Sequence, residues 1–374
     1  MRPDFDQSEH VLAVLARERN KPLNEAYSLP PISYLSPSFF DLEKERIFCR
    51  DWLCVGHVDE VAEVGSFFCT EIVGEQIVVV RESKKRILAL SNVCRHRGAK
   101  LLNGCGRAER IVCPYHGWSY ALDGQLFRAP YMEKSSGFDT SDVQLPELRL
   151  ESWKGFLFVN LDDHCEPLAP RLEALEPLIG HFHIEEMIYH PGAEMVWNAN
   201  WKVVTENFTE NYHTFRIHPQ TLNRRNPTRM TQMLDLQGEF HVHIEPYDDQ
   251  SEPLPGSYHP DVPDHARNQS VLFAVLPSST FGAHARRAFF FSIFPLGTER
   301  SRVKWGVAMR DDMPSEQMEA VNTAYANIIA EDQAVVEELQ VALHSRRAQR
   351  GRLSHLERST WDLTRFLTDR LLGD

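Results

Sequence analysis

The chain has no apolar run of the roughly 20 residues that a helix needs to cross a bilayer. It has no internal repeat and no low-complexity tract, which excludes solenoid and fibrous architectures. It has no basic excess. Its 40 Lys and Arg stand against 53 Asp and Glu, a formal charge of −13, and no cluster of Lys and Arg stands apart from that background. This argues against a nucleic-acid partner, because phosphate binding needs concentrated positive charge. Residues Met1-Arg2-Pro3-Asp4-Phe5-Asp6 lack the apolar stretch of a secretory signal, so a cytoplasmic protein with no membrane association is expected. Cysteine is also scarce. The seven residues, at 49, 54, 69, 94, 105, 113 and 165, are odd in number and scattered, which does not fit a disulfide framework. Cys49, Cys54, Cys69 and Cys165 read as small buried hydrophobes.

What is present is ordinary for a globular protein: 42% apolar and 25% charged residues over a length that suits two domains. Two short segments stand out, Cys94-Arg95-His96 and Cys113-Pro114-Tyr115-His116. Together they offer two thiolates and two imidazoles, the ligand set of a Rieske [2Fe–2S] cluster, in which two Cys hold one iron and two His the other. Cys2His2 is also a zinc set, but Cys94 and His96 are closer together than zinc ligand pairs usually are. Pro114 and Gly117 suit loops that wrap a bulky group.

Between about residues 46 and 162 short β-type segments alternate with turns: 66–72, 76–82, 87–92, 111–113, 119–122 and 155–160, with Asp123-Gly124 as a tight turn. This predicts an antiparallel β domain at 46–162, preceded by an arm with short helices over 1–45. The polar stretch 162–170 marks the boundary to a mixed region, 163–374. There a helix is expected over Asn200–Tyr212 and a long periodic one over Ser315–Ser345. Strands are expected at 270–276, 288–295 and 302–310, and a loop at 250–266. The fold class is α+β, with an antiparallel β domain followed by a domain with an antiparallel sheet flanked by helices.

The second chemical signal is Asn207-Phe208-Thr209-Glu210-Asn211-Tyr212-His213-Thr214-Phe215-Arg216-Ile217-His218-Pro219. On a regular helix, at about 100° per residue, His213 and His218 would lie about 140° apart. Pro219 therefore predicts a break between Thr214 and His218 that brings the two imidazoles together. Two His and one carboxylate form the facial triad of a mononuclear non-haem Fe(II) site, which leaves positions for O2 and substrate. Spacing leaves the carboxylate open among Glu331, Asp332, Glu337 and Glu338. His241 and His243 share one face of a strand and read as a surface pair, and His181 and His183 as loop residues.

The residues around both motifs, 92–98, 113–120 and 207–219, resemble the α-subunits of Rieske non-haem iron oxygenases over nearly the full chain. The resemblance implies that Cys94, His96, Cys113 and His116 hold the cluster and that Asp332 completes the iron site with His213 and His218. It also implies that Glu210, or less directly Glu206, links the two metal centres between neighbouring subunits, with Asn207 near the iron. A homotrimer follows, together with a NAD(P)H-dependent flavin or iron–sulfur reductase, with or without a ferredoxin, as electron donor. High-potential Rieske proteins carry an extra disulfide whose partners would fall near Gly98 and Tyr115. Neither position is Cys, so a low-potential cluster is expected. Glu210 at the bridge resembles the branch with carnitine and betaine monooxygenases, and aromatic cages suit quaternary ammonium groups. Phe208, Phe215, Phe281, Phe289, Phe291 and Trp305 are candidates for such a cage. Arg216, Arg224, Arg225, Arg286 and Arg287 are candidates for a substrate carboxylate. The competing readings are a hydroxylase or demethylase of aromatic acids, a Rieske electron carrier without oxygenase activity, and a zinc-stapled module.

Overall fold

The computed structural model describes residues 7–236, 238–248, 257–310 and 315–373. The chain divides into two compact units, one of residues Cys49–Glu166 and one assembled from Met1–Phe48 and Pro167–Asp374.

In the first unit, seven antiparallel strands form a sheet in the order Leu53–His57, Phe156–Asn160, Glu147–Trp153, Arg86–Ser91, Glu75–Ser83, Ser66–Ile72 and Cys105–Arg107. A small three-stranded sheet, Ile111–Val112, Ser119–Tyr120 and Leu126–Arg128, supports the second Cys/His loop. Val78, Val80, Leu88, Leu90, Ile111, Trp118 and Tyr120 share one apolar core with Cys94 and Cys113. The two loops thus stand on a rigid base.

The second unit is built on a seven-stranded antiparallel sheet in the order Ile188–Trp197, Arg300–Met309, Arg287–Gly297, Ser279–His284, Gln269–Val275, Phe240–Pro246 and Gln232–Met233. Helices Trp201–Thr209, Ser315–Leu343 and Arg358–Leu372 accompany it. Residues before 49 belong to this unit and do not form a separate arm. Helix Gln7–Glu18 buries Val11, Val14 and Leu15. Arg19 pairs with Asp369, and Arg350 with Glu18.

Most expected strands appear within a residue or two. The helix expected over Asn200–Tyr212 is shorter. Asn200 caps it by accepting from the Lys202 N–H, and it ends at Thr209 because Glu210 is extended (φ −112°, ψ 156°). The loop expected at 250–266 lies outside the described residues up to 256. From 257 it is irregular apart from one turn at Asp264–Ala266.

Candidate metal centres and the adjoining pocket

The two Cys/His loops share one backbone design. In each, the glycine four residues after the cysteine donates its N–H to the cysteine carbonyl, Gly98 to Cys94 at 3.0 Å and Gly117 to Cys113 at 3.1 Å. Both glycines have positive φ, 74° and 70°, a conformation that a Cβ would strain. The turns present Cys94 and Cys113 from the core, while His116 lies at the surface. The His96 ring stacks on Trp118 (4.7 Å, 9°) and lies 4.7 Å from the His116 ring. The Tyr120 hydroxyl sits 3.3 Å from Cys94 Sγ and accepts from the Arg95 N–H at 3.0 Å.

His96 Nδ1 is buried without a hydrogen-bond partner, the condition of an atom that holds a metal. Among the described residues, two groups of donors converge closely enough for a single ion, and these four ligands are not one of them. That suits a set spread over two irons and does not suit a closed zinc site.

One of the convergent groups is His213, His218 and Asp332. The chain breaks at Glu210, earlier than Pro219 suggested. The Glu210 carboxylate accepts from the backbone N–H groups of Tyr212 and His213. A single turn, Thr214–Ile217, then separates the two histidines, with His213 at its start and His218 at its end. Their rings lie 5.3 Å apart at 72°. The Nε2 atoms of His218 and His213 lie 2.8 and 3.5 Å from Asp332 Oδ1. Each Nδ1 meets a second carboxylate, Glu210 at 2.5 Å from His213 and Glu331 at 2.6 Å from His218. Outer carboxylates of this kind fix the tautomer, so that both Nε2 atoms present lone pairs inward.

Burial opposes charge on His213, but the hydrogen bonds of Asp332 and Glu210 outweigh it and raise its pKa to about 10. Burial likewise disfavours the Asp332 carboxylate, yet both histidines hold its pKa below the usual value. The same arrangement that attracts a proton attracts a metal cation. A neutral two-His, one-carboxylate set with the remaining directions free suits Fe(II).

A cavity of about 410 Å³ adjoins this group and reaches Asn207, Glu210, His213 and Asp332. Phe208, Phe289, Phe291, Tyr247 and Tyr325 are among its lining residues. Phe208 and Phe291 stack at 4.5 Å and 4°, and Phe289 lies 5.1 Å from Tyr325. Arg225 and Arg287 line it as well. Burial first, then the guanidiniums of Arg287, Arg286 and Arg225, depress the pKa of His284 well below its usual value. Asn207 Nδ2 is buried with no hydrogen-bond partner.

Phe215, Phe281, Trp305, Arg216, Arg224 and Arg286 are not among the lining residues. Phe215 is half exposed, whereas Phe281 and Trp305 belong to the core. Glu206 sits one helical turn before Glu210, where it accepts from the Tyr34 hydroxyl at 2.9 Å.

One reading of histidines changes. His241 and His243 are buried, not surface residues. They satisfy each other and, at 2.8 and 3.2 Å, Asp362 and Glu245. Glu245, Tyr247 and Tyr325 also line the pocket and carry no motif in the sequence. His183 gathers with Glu186 and His259 near the surface, where Arg310 also pairs with Glu186.

Residues 51–152 match the Rieske [2Fe–2S] domain family, and residues 183–373 match the ring-hydroxylating α-subunit catalytic domain. The chain is 37% identical over 198 residues to the carnitine monooxygenase oxygenase subunit of Escherichia coli K12, covering 52% of this chain and 53% of that protein. It is 36% identical over 198 residues to the glycine betaine monooxygenase oxygenase subunit of Chromohalobacter salexigens, covering 53% of this chain and 44% of the relative. The chain thus spans about half the length of the curated relatives it matches. A solved quaternary ammonium Rieske monooxygenase, described in terms of carnitine oxidation and inter-subunit electron transfer, superposes with a TM-score of 0.81 at 25% identity, covering 95% of this chain and 97% of that one. Naphthalene 1,2-dioxygenase from Rhodococcus sp. shares the fold, with a TM-score of 0.79 at 18% identity over 98% of both chains.

Proposed function

The chain belongs to the ring-hydroxylating oxygenase α-subunit family, with a Rieske [2Fe–2S] domain ahead of the catalytic domain, and on that premise we propose that it is the oxygenase component of a monooxygenase acting on a quaternary ammonium carboxylate. Cys94, His96, Cys113 and His116 would hold the two-iron cluster, and His213, His218 and Asp332 the mononuclear iron. When bound, these groups supply single electrons and O2 activation.

The chain's own residues do the rest. Glu210 and Glu331 fix the two imidazoles. Phe208, Phe289, Phe291 and Tyr325 offer π-faces to a trimethylammonium group, an attraction that strengthens where water is excluded. Arg225 and Arg287 pair with the substrate carboxylate. A zwitterion held at both ends keeps one carbon over the His/His/Asp group.

The observation that carries this reading is the pocket itself, in which aromatic side chains and two guanidiniums adjoin one His/His/Asp convergence. We assign Glu210 as the link between centres. Its carboxylate already binds His213 Nδ1, and His116 is exposed and free to meet a neighbouring copy. That arrangement calls for a closed ring of subunits, a trimer, served by a separate NAD(P)H-dependent reductase.

The test is a substrate-depletion screen with reductase and O2, setting carnitine, γ-butyrobetaine and glycine betaine against benzoate and naphthoate. Consumption of a betaine supports the reading. Consumption of only the aromatic acids replaces it, because those would use the same guanidiniums with the rings as a stacking surface.

A further inference from the structure

Strand Phe240–Pro246 alternates its side chains, so that His241, His243 and Glu245 share one face. They are joined end to end. Asp362 Oδ2 lies 2.8 Å from His241 Nδ1, His241 Nε2 lies 3.1 Å from His243 Nδ1, and His243 Nε2 lies 3.2 Å from Glu245 Oε1. His241 and His243 are 2% and 1% exposed, so no water competes for these bonds. The two ends open into different spaces. Glu245 lines the pocket that also reaches His213 and Asp332. Asp362 lines a separate cleft of about 90 Å³ with Glu239, Arg365, Asp369 and Arg370.

Counting hydrogens shows what the chain stores. Two neutral imidazoles carry one N–H each, and two carboxylates carry none. Three hydrogen bonds need three hydrogens. The line is therefore complete only when it holds one proton beyond the two neutral rings. That proton can sit on Asp362, on either imidazole or on Glu245, and every position preserves all three bonds.

We propose that Asp362, His241, His243 and Glu245 form a proton relay that carries protons from the cleft beside helix Arg358–Leu372 to the pocket that His213 and Asp332 also line. The relay rests on the oxygenase reading for its demand. Hydroxylation follows R–H + O2 + 2e⁻ + 2H⁺ → R–OH + H2O, with electrons from the reductase, so each turnover consumes two protons in the pocket. A proton entering at Asp362 passes to His241 Nδ1. The hydrogen on His241 Nε2 moves to His243 Nδ1, and that on His243 Nε2 moves to Glu245, which releases a proton to the pocket. Each delivery leaves both rings as Nδ1–H tautomers, and they must return to Nε2–H before the next.

Burial, and then His243 and Arg358, disfavour a resident charge on His241, which Asp362 only partly offsets. Arg358 Nε lies 3.5 Å from Asp362 at the receiving end of the line.

His243→Gln retains a hydrogen-bonding side chain that cannot hand on a proton. It should lower kcat roughly 10- to 100-fold while leaving KM, the substrate Kd and the melting temperature as in the parent. The solvent deuterium isotope effect on kcat should rise, and more O2 should be released as peroxide. Asp362→Asn, at the surface end, should act in the same direction. A second readout needs no turnover: in ¹⁵N-histidine-labelled protein, the ring nitrogens of His243 should shift on Asp362→Asn, because the two residues share one proton line through His241. A parental kcat and isotope effect in His243→Gln, or His243 resonances that ignore Asp362→Asn, overturns the relay. If the parent protein oxidises no substrate at all, the oxygenase reading falls and the ¹⁵N measurement still judges the relay.

Discussion

Lys202→Met should destabilise the unit that carries the pocket far more than a surface change would. Lys202 Nζ pairs with Glu43 Oε1 at 2.6 Å, and neither side chain has any solvent exposure. Glu43 Oε2 accepts from Trp201 Nε1 at 3.0 Å, and the ammonium faces the rings of Tyr34, Phe39 and Trp201 at 5.6, 5.4 and 5.1 Å. Burial pushes the Glu43 pKa up and the Lys202 pKa down, and each charge persists because of the other. Removing the ammonium leaves a buried carboxylate unpaired, a loss of about 3–5 kcal/mol. At ~2–4 °C per kcal/mol for a unit of this size, the melting temperature should fall by about 6–20 °C. Glu43→Gln in the same protein removes the stranded charge and keeps the Trp201 bond, so the double variant should recover about 2 kcal/mol or more of that loss. In Lys202→Met alone, the folded state binds a proton at Glu43 more tightly than the unfolded chain does. Its stability should therefore rise as pH falls toward 5, the reverse of ordinary acid denaturation. Urea denaturation at two pH values measures both effects. Equal losses for the single and double variants, or additive ones, would refute the coupling.

Three further outcomes are expected. Burial raises the Glu206 pKa to about 8; between the unfolded value near 4.5 and that value the folded state holds the extra proton, so stability should fall as pH rises through this window, and Glu206→Gln should flatten the slope in denaturation measured from pH 5 to 9. Asp332→Ala should lose mononuclear iron while retaining acid-labile sulfide and the Rieske EPR signal, as quantified by metal analysis of purified protein; full iron occupancy would move the third ligand to Glu331. Gly282→Ala places a Cβ against the Phe289 ring across the paired strand; it should weaken substrate binding about tenfold or more by calorimetry without changing iron content, since a displaced ring loses its contact with the cation.

The cluster loops were legible because everything they need is local: ligands, glycines with positive φ and a proline within a few residues of one another. The two histidines were legible as a pair, but the place of the break was not. Pro219 is the conspicuous helix breaker, whereas the chain bends where the Glu210 side chain takes the N–H groups of Tyr212 and His213. A glutamate carries no such signal in a sequence. His241 and His243 looked like surface residues because their partner, Asp362, lies on a distant helix. Strand Ile188–Trp197 was hidden by Pro191-Gly192, which reads as a turn. It lies at the sheet edge with a bulge after Pro191, where a missing N–H costs little, and Gly192 leaves room for the Trp305 ring. Of the five arginines named for a substrate carboxylate, Arg225 and Arg287 line the pocket and the other three do not. Strand and helix phase alone cannot say which side chains a fold turns toward a cavity.

The pocket-bearing unit is discontinuous along the chain, with residues before 49 packed among residues after 166. During synthesis this sets an order of events. Domains form as the ribosome releases them, at about 5–20 residues per second. The iron–sulfur unit, with all four proposed ligands between Cys94 and His116, can close and take up its cluster while Pro167 and everything beyond are still being made. The leading helix Gln7–Glu18 must meanwhile wait, apolar face uncovered, for helix Arg358–Leu372. The nascent chain therefore carries a finished redox module between two halves of an unfinished one, and a translation stall after residue 166 would strand the waiting half and leave the module intact.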